Sequence, residues 1–435
     1  MTDKRALRGR LLDFIADPAV AGQEAVRYIE DGILVMEGGH IVARGTAAEL
    51  LPALGGVPLD DWGGRLIVPG FIDLHIHYPQ SRVIAAFGTQ LMDWLERYTF
   101  PEESRLADPA VATAMASFFL DELLSNGTTT AVVYGTVHAA ATDAFFAESE
   151  RRNTRMIAGK SMMDRNAPPW LMDTAQGSYD AVTDLIGRWH GRGRQLYAVT
   201  PRFAVTSTDE QLEAAAALLA EHPSVFLQTH LSENDKEIAL VREIYPWARN
   251  YADVYRHFGL MGPRSLFGHS IHLDDEEIEM LAESGSAAVF CPTSNTFLGS
   301  GLFDRERLAA GGVSIGLATD VGGGTSYSML ETAGEAYKVL QLRRQTLRPF
   351  DAFHMLTRGN AGVLGLGHLI GSFDVGSEAD VAVLDARATP AMAHRMTAVE
   401  GDLEQELFVL MIMGDDRSVA ATYVAGEPAR RLGLA

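Results

Sequence analysis

The stretch LIVPGFIDLHIHYPQ, residues 66–80, is the part of the chain that decides its fold. Its apolar run predicts a buried strand from Leu66 to Leu74, which delivers His75 and His77 into a loop. Alternate side chains of an extended segment point to the same side, so both imidazoles can bind one metal ion, for which Zn²⁺ is the expected choice. An HxH pair alone is not diagnostic, because such pairs also occur at protein surfaces.

Strand-like and helix-like segments alternate from residue 66 to residue 369. The strand-like runs are LIVPGFIDLH, TTTAVVYGT, TRMIAGKSM, QLYAVTPRF, SVFLQTH, SLFGHS, AAVFCPTS and VSIGLATD. This α/β alternation predicts a (β/α)₈ TIM-like barrel over residues 66–369. Residues 1–65 and 370–435 instead contain short strand patterns with glycine turns, and we expect them to form one small β-sandwich domain built from both chain termini.

Metal-binding side chains fall at the predicted carboxyl ends of the barrel strands. These residues are His75, His77, His230, His269 and Asp320, and Arg202 follows the fourth strand. An isolated histidine at a strand end is commonly a hydrogen-bonded core residue, and an isolated aspartate commonly caps the next helix. Because the strand ends of a barrel meet at one face, their joint placement favours an active site.

Three histidines and a carboxylate can hold Zn²⁺ and leave one position open for water, whose pKa then falls to about 7. Glu233, three residues after His230, can move protons without binding the metal. Asp320 can accept a proton from the water as well as bind the metal, and His269 can orient the resulting hydroxide. The predicted reaction is metal-assisted hydrolysis at a carbon that carries a leaving group.

Lys160 leaves two interpretations open. A barrel lysine that is carboxylated can bridge two metal ions, whereas an unmodified lysine would pair with a carboxylate. Its position on the third strand favours the ion pair, and therefore a single metal ion.

The formal charge of −21 excludes nucleic acid and anionic membranes as expected partners, because a strongly acidic protein repels polyanions. Cys291 is the single cysteine, so the chain has neither an internal disulfide nor a cysteine-rich zinc cluster. It also lacks the P-C-x-x-C pattern of cytidine-type deaminases. No apolar run reaches the about 20 residues of a membrane helix, and we expect a cytoplasmic protein.

Several motifs together resemble the metal-dependent amidohydrolase superfamily: PGFIDLHIHYPQ, HLSEN, GHSIHL and ATDVGGG. More narrowly, the chain is similar to the guanine deaminase family. The segments that carry this resemblance are HIHYPQ (75–80), LMDWLERYTFPEES (91–104), VTPRFA (199–204), QTHLSEN (228–234), SNTFLGSGLFD (294–304) and TDVGGGTSYSML (319–330).

The resemblance implies one Zn²⁺ per subunit, a homodimer and a purine base as substrate. The implied zinc ligands are His75, His77, His230 and Asp320, and the implied catalytic residues are Glu233, Asp320 and His269. The implied substrate-binding residues are Gln80, Arg202, Phe203, His77, His230, Glu233 and Asp320. In the implied reaction, zinc-bound hydroxide attacks C2 of guanine and Glu233 protonates N3, which yields xanthine and ammonia.

Two segments depart from the family pattern. SMMDRNAPPW follows Lys160 where some relatives have a cysteine, and Gln228–Thr229 precede His230 where serine is common. Neither change touches an implied ligand. The main alternative is an amidohydrolase that deaminates or dechlorinates another aza-aromatic ring, such as a triazine or an adenosine-like nucleoside. A barrel without catalytic activity is disfavoured because every implied ligand is present.

Overall fold

The computed structural model describes residues 4–88 and 90–431. Its strands are β1 Lys4–Phe14, β2 Val26–Glu37, β3 His40–Thr46, β4 Leu59–Pro69, β5 Phe71–His77, β6 Thr128–Tyr134, β7 Arg155–Gly159, β8 Ser161–Met162, β9 Leu196–Pro201, β10 Phe226–Leu231, β11 Ser265–His269, β12 Ala287–Phe290, β13 Ser314–Leu317, β14 Val381–Leu384, β15 Val419–Val424 and β16 Glu427–Arg431.

The α-helices are α1 Pro18–Ala21, α2 Ala47–Leu54, α3 Leu91–Trp94, α4 Phe100–Ser104, α5 Pro109–Ser125, α6 Ala139–Arg152, α7 Ala175–Trp189, α8 Asp209–Glu221, α9 Asp235–Ile244, α10 Tyr251–His257, α11 Asp275–Ser284, α12 Pro292–Phe297, α13 Arg305–Ala310, α14 Met329–Leu342, α15 Pro349–His354, α16 Asn360–Val363, α17 Pro390–Met396 and α18 Leu403–Met413. Two π-helical segments, Leu95–Thr99 and Met355–Gly359, join α3 to α4 and α15 to α16.

The barrel prediction is confirmed. Strands β5, β6, β7, β9, β10, β11, β12 and β13 follow one another in a parallel sheet, and the two-residue β8 pairs with β9 beside this path. The strands are buried on both sides because helices cover the outside of the barrel, which explains why they read as continuous apolar runs. The carboxyl ends of these strands form the face on which the site lies.

The seam between the first and last barrel strands is closed largely by groups outside the strand ladders. Asn360 accepts a hydrogen bond from Leu317 N at 3.0 Å and donates to Ile72 O at 2.7 Å and Leu317 O at 2.9 Å. Near the carboxyl ends, Asp320 N donates to His75 O at 2.9 Å. The seam therefore fixes β5 relative to the segment that follows β13.

Both chain ends pair as predicted, in one seven-stranded sheet of order β16-β15-β14-β4-β1-β2-β3. The pairing of β1 with β4 is parallel, and the other pairings are antiparallel. One face of this sheet buries Leu34, Ile67 and Val383, and Trp62 Nε1 donates to Tyr423 Oη at 3.1 Å across it. The two ends thus share one hydrophobic core.

The prediction of a single strand from Leu66 to Leu74 is wrong. Leu66–Pro69 are the end of β4 and pair with β14 in the terminal sheet, whereas β5 begins at Phe71. Gly70 lies at the break, where a Cβ atom would come within 2.2 Å of Thr129 Oγ1. His75 and His77 therefore lie inside a barrel strand and not in the loop after it.

Helices α17 and α18 lie between strands of the C-terminal segment, and the sequence patterns did not reveal them. Helix α18 has apolar residues on all sides, in LFVLMIM, and it packs against α14 and α15 on the outside of the barrel. Within the described part of the chain, no helix is both long enough and apolar enough to cross a membrane.

Candidate active site

The candidate active site is a cavity at the carboxyl ends of the barrel strands. It is lined by His77, Gln80, Leu91, Trp94, Leu95, Arg202, Phe203, His230, Glu233, His269, Leu298, Asp320 and Gly323. All predicted catalytic and substrate-binding residues are among them, although they come from five separate parts of the chain. His75 lies directly behind this wall and is 1% exposed.

Four side chains converge at the floor of the cavity. His75 Nε2 and His77 Nε2 are 3.2 Å apart, and each lies 3.3 Å from Asp320 Oδ1. A ligand nitrogen of His230 lies within 4.8 Å of those of the other two histidines. Such short separations between nitrogens and a carboxylate oxygen are those of groups that can share one ion.

The protonation states of these residues suit a cation. Burial lowers the pKa of His75 and of His230, and it lowers the pKa of His77 to about 3, so the three imidazoles are neutral at pH 7. Burial opposes ionisation of Asp320, but the surrounding imidazoles hold the pKa of its carboxyl well below the usual range. Three neutral imidazoles and one carboxylate are a donor set that fits Zn²⁺.

His230 is held in a metal-binding tautomer. Its Nδ1 lies 2.7 Å from the carbonyl oxygen of Arg202, and a carbonyl oxygen can only accept a hydrogen bond. Nδ1 therefore carries the proton, and Nε2 presents its lone pair to the cluster. Metal-binding histidines are commonly oriented by such a backbone partner.

His269 is oriented in the same way by Asn295, whose Oδ1 accepts a hydrogen bond from Nδ1 at 2.9 Å. Its Nε2 then faces Glu233 Oε2 at 3.3 Å and Asp320 Oδ2 at 3.7 Å. His269 thus stands between the two carboxylates, with an acceptor nitrogen aimed at the space next to the ligand cluster.

Glu233 is a buried carboxyl with a raised pKa. Burial, together with the negative charge of Asp320, raises the pKa of Glu233 to about 8, so its carboxyl holds a proton at neutral pH. Ser300 Oγ donates to Glu233 Oε1 at 3.2 Å and fixes the carboxyl in the cavity. A raised pKa in a cavity beside a metal-type cluster is typical of a proton-transfer residue.

Strained backbone is concentrated in the loops that carry these side chains. Ser232, His269, Ser270 and Asp320 all have positive φ, between 48° and 68°. This left-handed conformation is costly for residues with a side chain, and it persists where the surrounding structure imposes it. Gly268 is required for another reason, because a Cβ atom there would lie 2.5 Å from Cε1 of His75.

The opposite wall of the cavity carries polar groups that are held by a buried carboxylate. Arg202 Nη1 donates to both oxygens of Glu103 at 2.8 Å, and Gln80 Nε2 donates to Glu103 Oε1 at 2.9 Å. Phe203 lies beside Arg202 on the wall, with its ring 6.2 Å from that of His230. An amide, a guanidinium and an aromatic ring are suited to a flat polar ring as ligand.

The profile of the amidohydrolase family matches residues 66–429. The chain belongs to this family. It is 46% identical to the guanine deaminase of Escherichia coli (strain K12) over 429 residues, which is 97% of each protein. The solved structure of E. coli guanine deaminase has 45% sequence identity and a TM-score of 0.96, and the match covers 99% of this chain and 100% of that one. Guanine deaminase from C. acetobutylicum, solved with guanine in its active site, is 26% identical with a TM-score of 0.88 and covers 98% of this chain and 99% of that one.

Lys160 has a structural contact in this amidohydrolase. Its ammonium group pairs with Asp173 and also lies 3.2 Å from Ser161 O and 3.4 Å from Ser178 Oγ. Burial lowers the pKa of Lys160, and the Asp173 carboxylate opposes this shift. Of the two interpretations of Lys160, the structure has the ion pair with a carboxylate, here that of Asp173. Lys160 is not one of the described residues that line the cavity.

Two other residues near the cluster of His75, His77, His230 and Asp320 have hydrogen-bond partners that account for their positions. The Nε2 atom of His272 lies 2.8 Å from the carbonyl oxygen of Ser300, and this contact holds the loop whose Ser300 hydroxyl bonds to Glu233. Burial raises the pKa of the Cys291 thiol well above its usual range, and Sγ donates to Val289 O at 3.6 Å. Cys291 therefore stays protonated beside the ligand cluster of the amidohydrolase.

Glu103 and Asn295 were not predicted from the sequence. Both lie in motifs that were recognised, WLERYTFPEES and SNTFLGSGLFD, but single glutamates and asparagines in helices are usually exposed. The position of Asn295 could have indicated a role in the site. It follows the buried strand β12 closely and therefore lies at the same face of the barrel as the predicted metal ligands.

Proposed function

We propose that this amidohydrolase catalyses the zinc-dependent hydrolytic deamination of guanine to xanthine and ammonia. The observation that carries the proposal is that one cavity is lined both by His77, His230 and Asp320, with His75 directly behind them, and by the group Gln80, Arg202 and Phe203. The 46% identity to E. coli guanine deaminase over nearly the full length supports the choice of guanine over other rings.

In this proposal His75, His77, His230 and Asp320 hold a single Zn²⁺. The chemistry that Zn²⁺ supplies when bound at such a site is a water molecule acidified to a pKa of about 7. The one-metal assignment is supported by the pairing of Lys160 with Asp173, which leaves the lysine no role in bridging a second ion.

Three side chains move protons around the substrate. Asp320 accepts a proton from the attacking water, and the Nε2 atom of His269 orients that water, because Nδ1 is committed to Asn295. The protonated carboxyl of Glu233 donates to N3 of guanine, which makes C2 more electrophilic. The ionised Glu233 then takes the proton of the C2 hydroxyl and passes it to the amino group, which leaves as ammonia. The proton held by Asp320 restores the acid form of Glu233.

The opposite wall orients the ring so that C2 faces the ligand cluster. Arg202 donates hydrogen bonds to the carbonyl oxygen at C6, on the far side of the ring from N3. Gln80 offers a donor and an acceptor to the ring edge, and Phe203 packs against the ring. Leu91, Trp94 and Leu95 close the cavity with apolar surface, which excludes water from the reacting atoms.

The decisive experiment is to incubate the purified protein with guanine and to measure xanthine, ammonia and zinc in the same sample. We expect equimolar xanthine and ammonia and one zinc per chain. Adenosine and an aminotriazine serve as alternative substrates in parallel reactions. A zinc-loaded sample that hydrolyses one of these rings but yields no xanthine overturns the guanine assignment.

The family resemblance further supports a homodimer in the cytoplasm as part of the proposal. Sedimentation velocity on the same sample measures the oligomeric state, and a monomer at micromolar concentration contradicts it.

A further inference from the structure

Glu103 is a fully buried carboxylate directly behind the cavity wall. It lies in α4 and is 0% exposed, and it is not one of the described residues that line the cavity. Its two oxygens accept three hydrogen bonds, two from Arg202 Nη1 and one from Gln80 Nε2. Glu103 is therefore the common partner of the two polar groups that face the substrate.

We propose that Glu103 is a positioning residue that also sets the charge class of the ligand, so that the pocket takes a neutral ring with a carbonyl group opposite Arg202. The inference rests on the proposed function, because it assigns Arg202 and Gln80 to the substrate. It concerns how these two residues are held and what charge they present.

The first step is the orientation of the two side chains. Both Glu103 bonds from Arg202 use Nη1, and the described residues provide no other hydrogen-bond partner for this guanidinium, so Nε and Nη2 are left for a ligand. An ionised carboxylate only accepts hydrogen bonds, so Glu103 also holds the nitrogen of the Gln80 amide. Gly322 N donates to Gln80 Oε1 at 3.3 Å and completes this orientation.

Glu103 also neutralises the charge of Arg202. Arg202 is 3% exposed, and an unpaired guanidinium at that depth would strongly attract an anion. Pairing with Glu103 makes the two residues neutral together, while hydrogen-bond donors still point into the cavity. A neutral pair binds a carbonyl oxygen without favouring a carboxylate or another anionic group at the same place.

Glu103 further connects the helical segment that closes the cavity to the barrel. Glu103 belongs to the same helical segment, residues 91–104, as Leu91 and Trp94, which close the cavity. The guanidinium of Arg202 also lies 5.6 Å from the centre of the Phe100 ring. Glu103 thus attaches this segment to the end of β9 through the residue that would bind the substrate.

The test uses Glu103→Gln, which keeps the size of the side chain but removes its charge. Three competitive inhibitors are compared: hypoxanthine with a C6 carbonyl, purine without it, and purine-6-carboxylate with an anion there. We expect hypoxanthine to bind about tenfold more weakly to the variant and purine to change about twofold or less. Purine-6-carboxylate should bind about tenfold more tightly, because Arg202 is no longer neutralised.

Two further variants separate positioning from folding. Glu103→Gln/Arg202→Gln removes both charges, so the gain for purine-6-carboxylate should vanish. Glu378→Gln breaks another buried carboxylate–arginine cluster, with Arg155 and Arg194 at the opposite end of the barrel. This control variant should lower the melting temperature without changing the relative affinities for hypoxanthine, purine and purine-6-carboxylate. If Glu103→Gln behaves in the same way, its effect is purely structural.

The outcomes distinguish this inference from the function on which it rests. If wild-type protein yields no xanthine, the proposed function fails. If wild-type protein yields xanthine but Glu103→Gln weakens all three inhibitors equally, the positioning role is wrong and guanine deamination stands. An unchanged affinity for purine-6-carboxylate in a folded, zinc-loaded variant overturns the charge argument.

Discussion

The surroundings of Glu233 suit the proton-transfer role proposed for it. The carboxyl is buried, lies near the negative charge of Asp320, and accepts one hydrogen bond from Ser300. Each of the first two features favours the protonated form, and the hydrogen bond fixes its direction. In the proposed function, Glu233 therefore holds its proton before any substrate binds.

Replacement of Glu233 by glutamine tests this role. Glutamine keeps the shape of the side chain but has no acidic proton, so we expect turnover of guanine to fall by about 10²–10⁴-fold. Zinc content should stay near that of the wild type, because Glu233 is not a ligand in the proposed cluster. Steady-state xanthine release and metal analysis measure both quantities, and near-normal turnover with zinc retained would refute the proton-transfer role.

Asn295 would affect the reaction indirectly, through its hydrogen bond with His269. In Asn295→Leu the Nδ1 atom of His269 loses its acceptor, so the imidazole is free to rotate or to change tautomer. We expect kcat to fall by about 10–100-fold with little change in KM. Thr296→Ala is the matched control, since Thr296 is exposed on the same helix and its hydroxyl donates only to backbone within that helix. Equal losses in both variants would contradict the orienting role.

At the scale of the elements, the seam between β5 and β13 determines the geometry of the ligand cluster. His75 and His77 lie in β5, and Asp320 follows β13, so the cluster exists only if the seam is closed. Asp73 contributes as well, because its carboxylate accepts from Thr319 N at 3.1 Å and from His75 N at 3.2 Å. The seam and the proposed metal site are therefore built from the same residues and their neighbours.

Asn360→Ala tests the dependence of the centre on the seam. The substitution leaves backbone groups of Ile72 and Leu317 without their partner, so we expect the free energy of unfolding to fall by about 3 kcal/mol. Affinity for Zn²⁺ should fall by about tenfold or more, although Asn360 contacts no ligand side chain. Urea unfolding and metal titration measure the two effects.

Gln176→Ala provides the comparison, because Gln176 is exposed and bonds only to Asp180 on its own helix. It should change stability by less than about 0.5 kcal/mol. If Asn360→Ala loses stability but binds Zn²⁺ as tightly as the wild type, the seam and the centre are independent.

At the scale of the whole molecule, the proposed metal joins three separate barrel strands. The ligands come from β5, β10 and the segment after β13, so a bound ion stabilises the folded state and not the unfolded chain. We expect a chelator to abolish activity and to lower the melting temperature by about 5 °C or more. Zn²⁺ should restore both and Mg²⁺ should not, because Mg²⁺ prefers oxygen ligands. An unchanged melting temperature in metal-free protein would contradict this site.

Hydrophobic pattern and strand position predicted most of the architecture and the residues that converge at its face. Barrel strands are buried on both sides, so they were visible as apolar runs, and His230 and Asp320 were recognised at their ends. The boundary between β4, which ends at Pro69, and β5, which begins at Phe71, was not predicted. The two strands belong to different sheets, but in the sequence they form one continuous apolar run.

Partners of the functional residues were harder to predict, because they depend on contacts that are distant in sequence. Glu102 and Glu103 are adjacent and chemically identical, yet one pairs with Arg105 near the surface and the other is buried against Arg202. No local pattern separates them. Helix α18 was missed for a related reason, since its apolar residues cover every side and show no helical period.

The sheet built from both chain termini has a consequence for the synthesis of this protein on the ribosome. Strand β4 is complete at Pro69, but its neighbour β14 begins only at Val381. At the usual rates of translation β14 leaves the ribosome roughly 15–60 s after β4, so one edge of the early strands stays open during that time. Strands β1–β4 are therefore synthesised before the barrel segment, but their sheet is completed only after it.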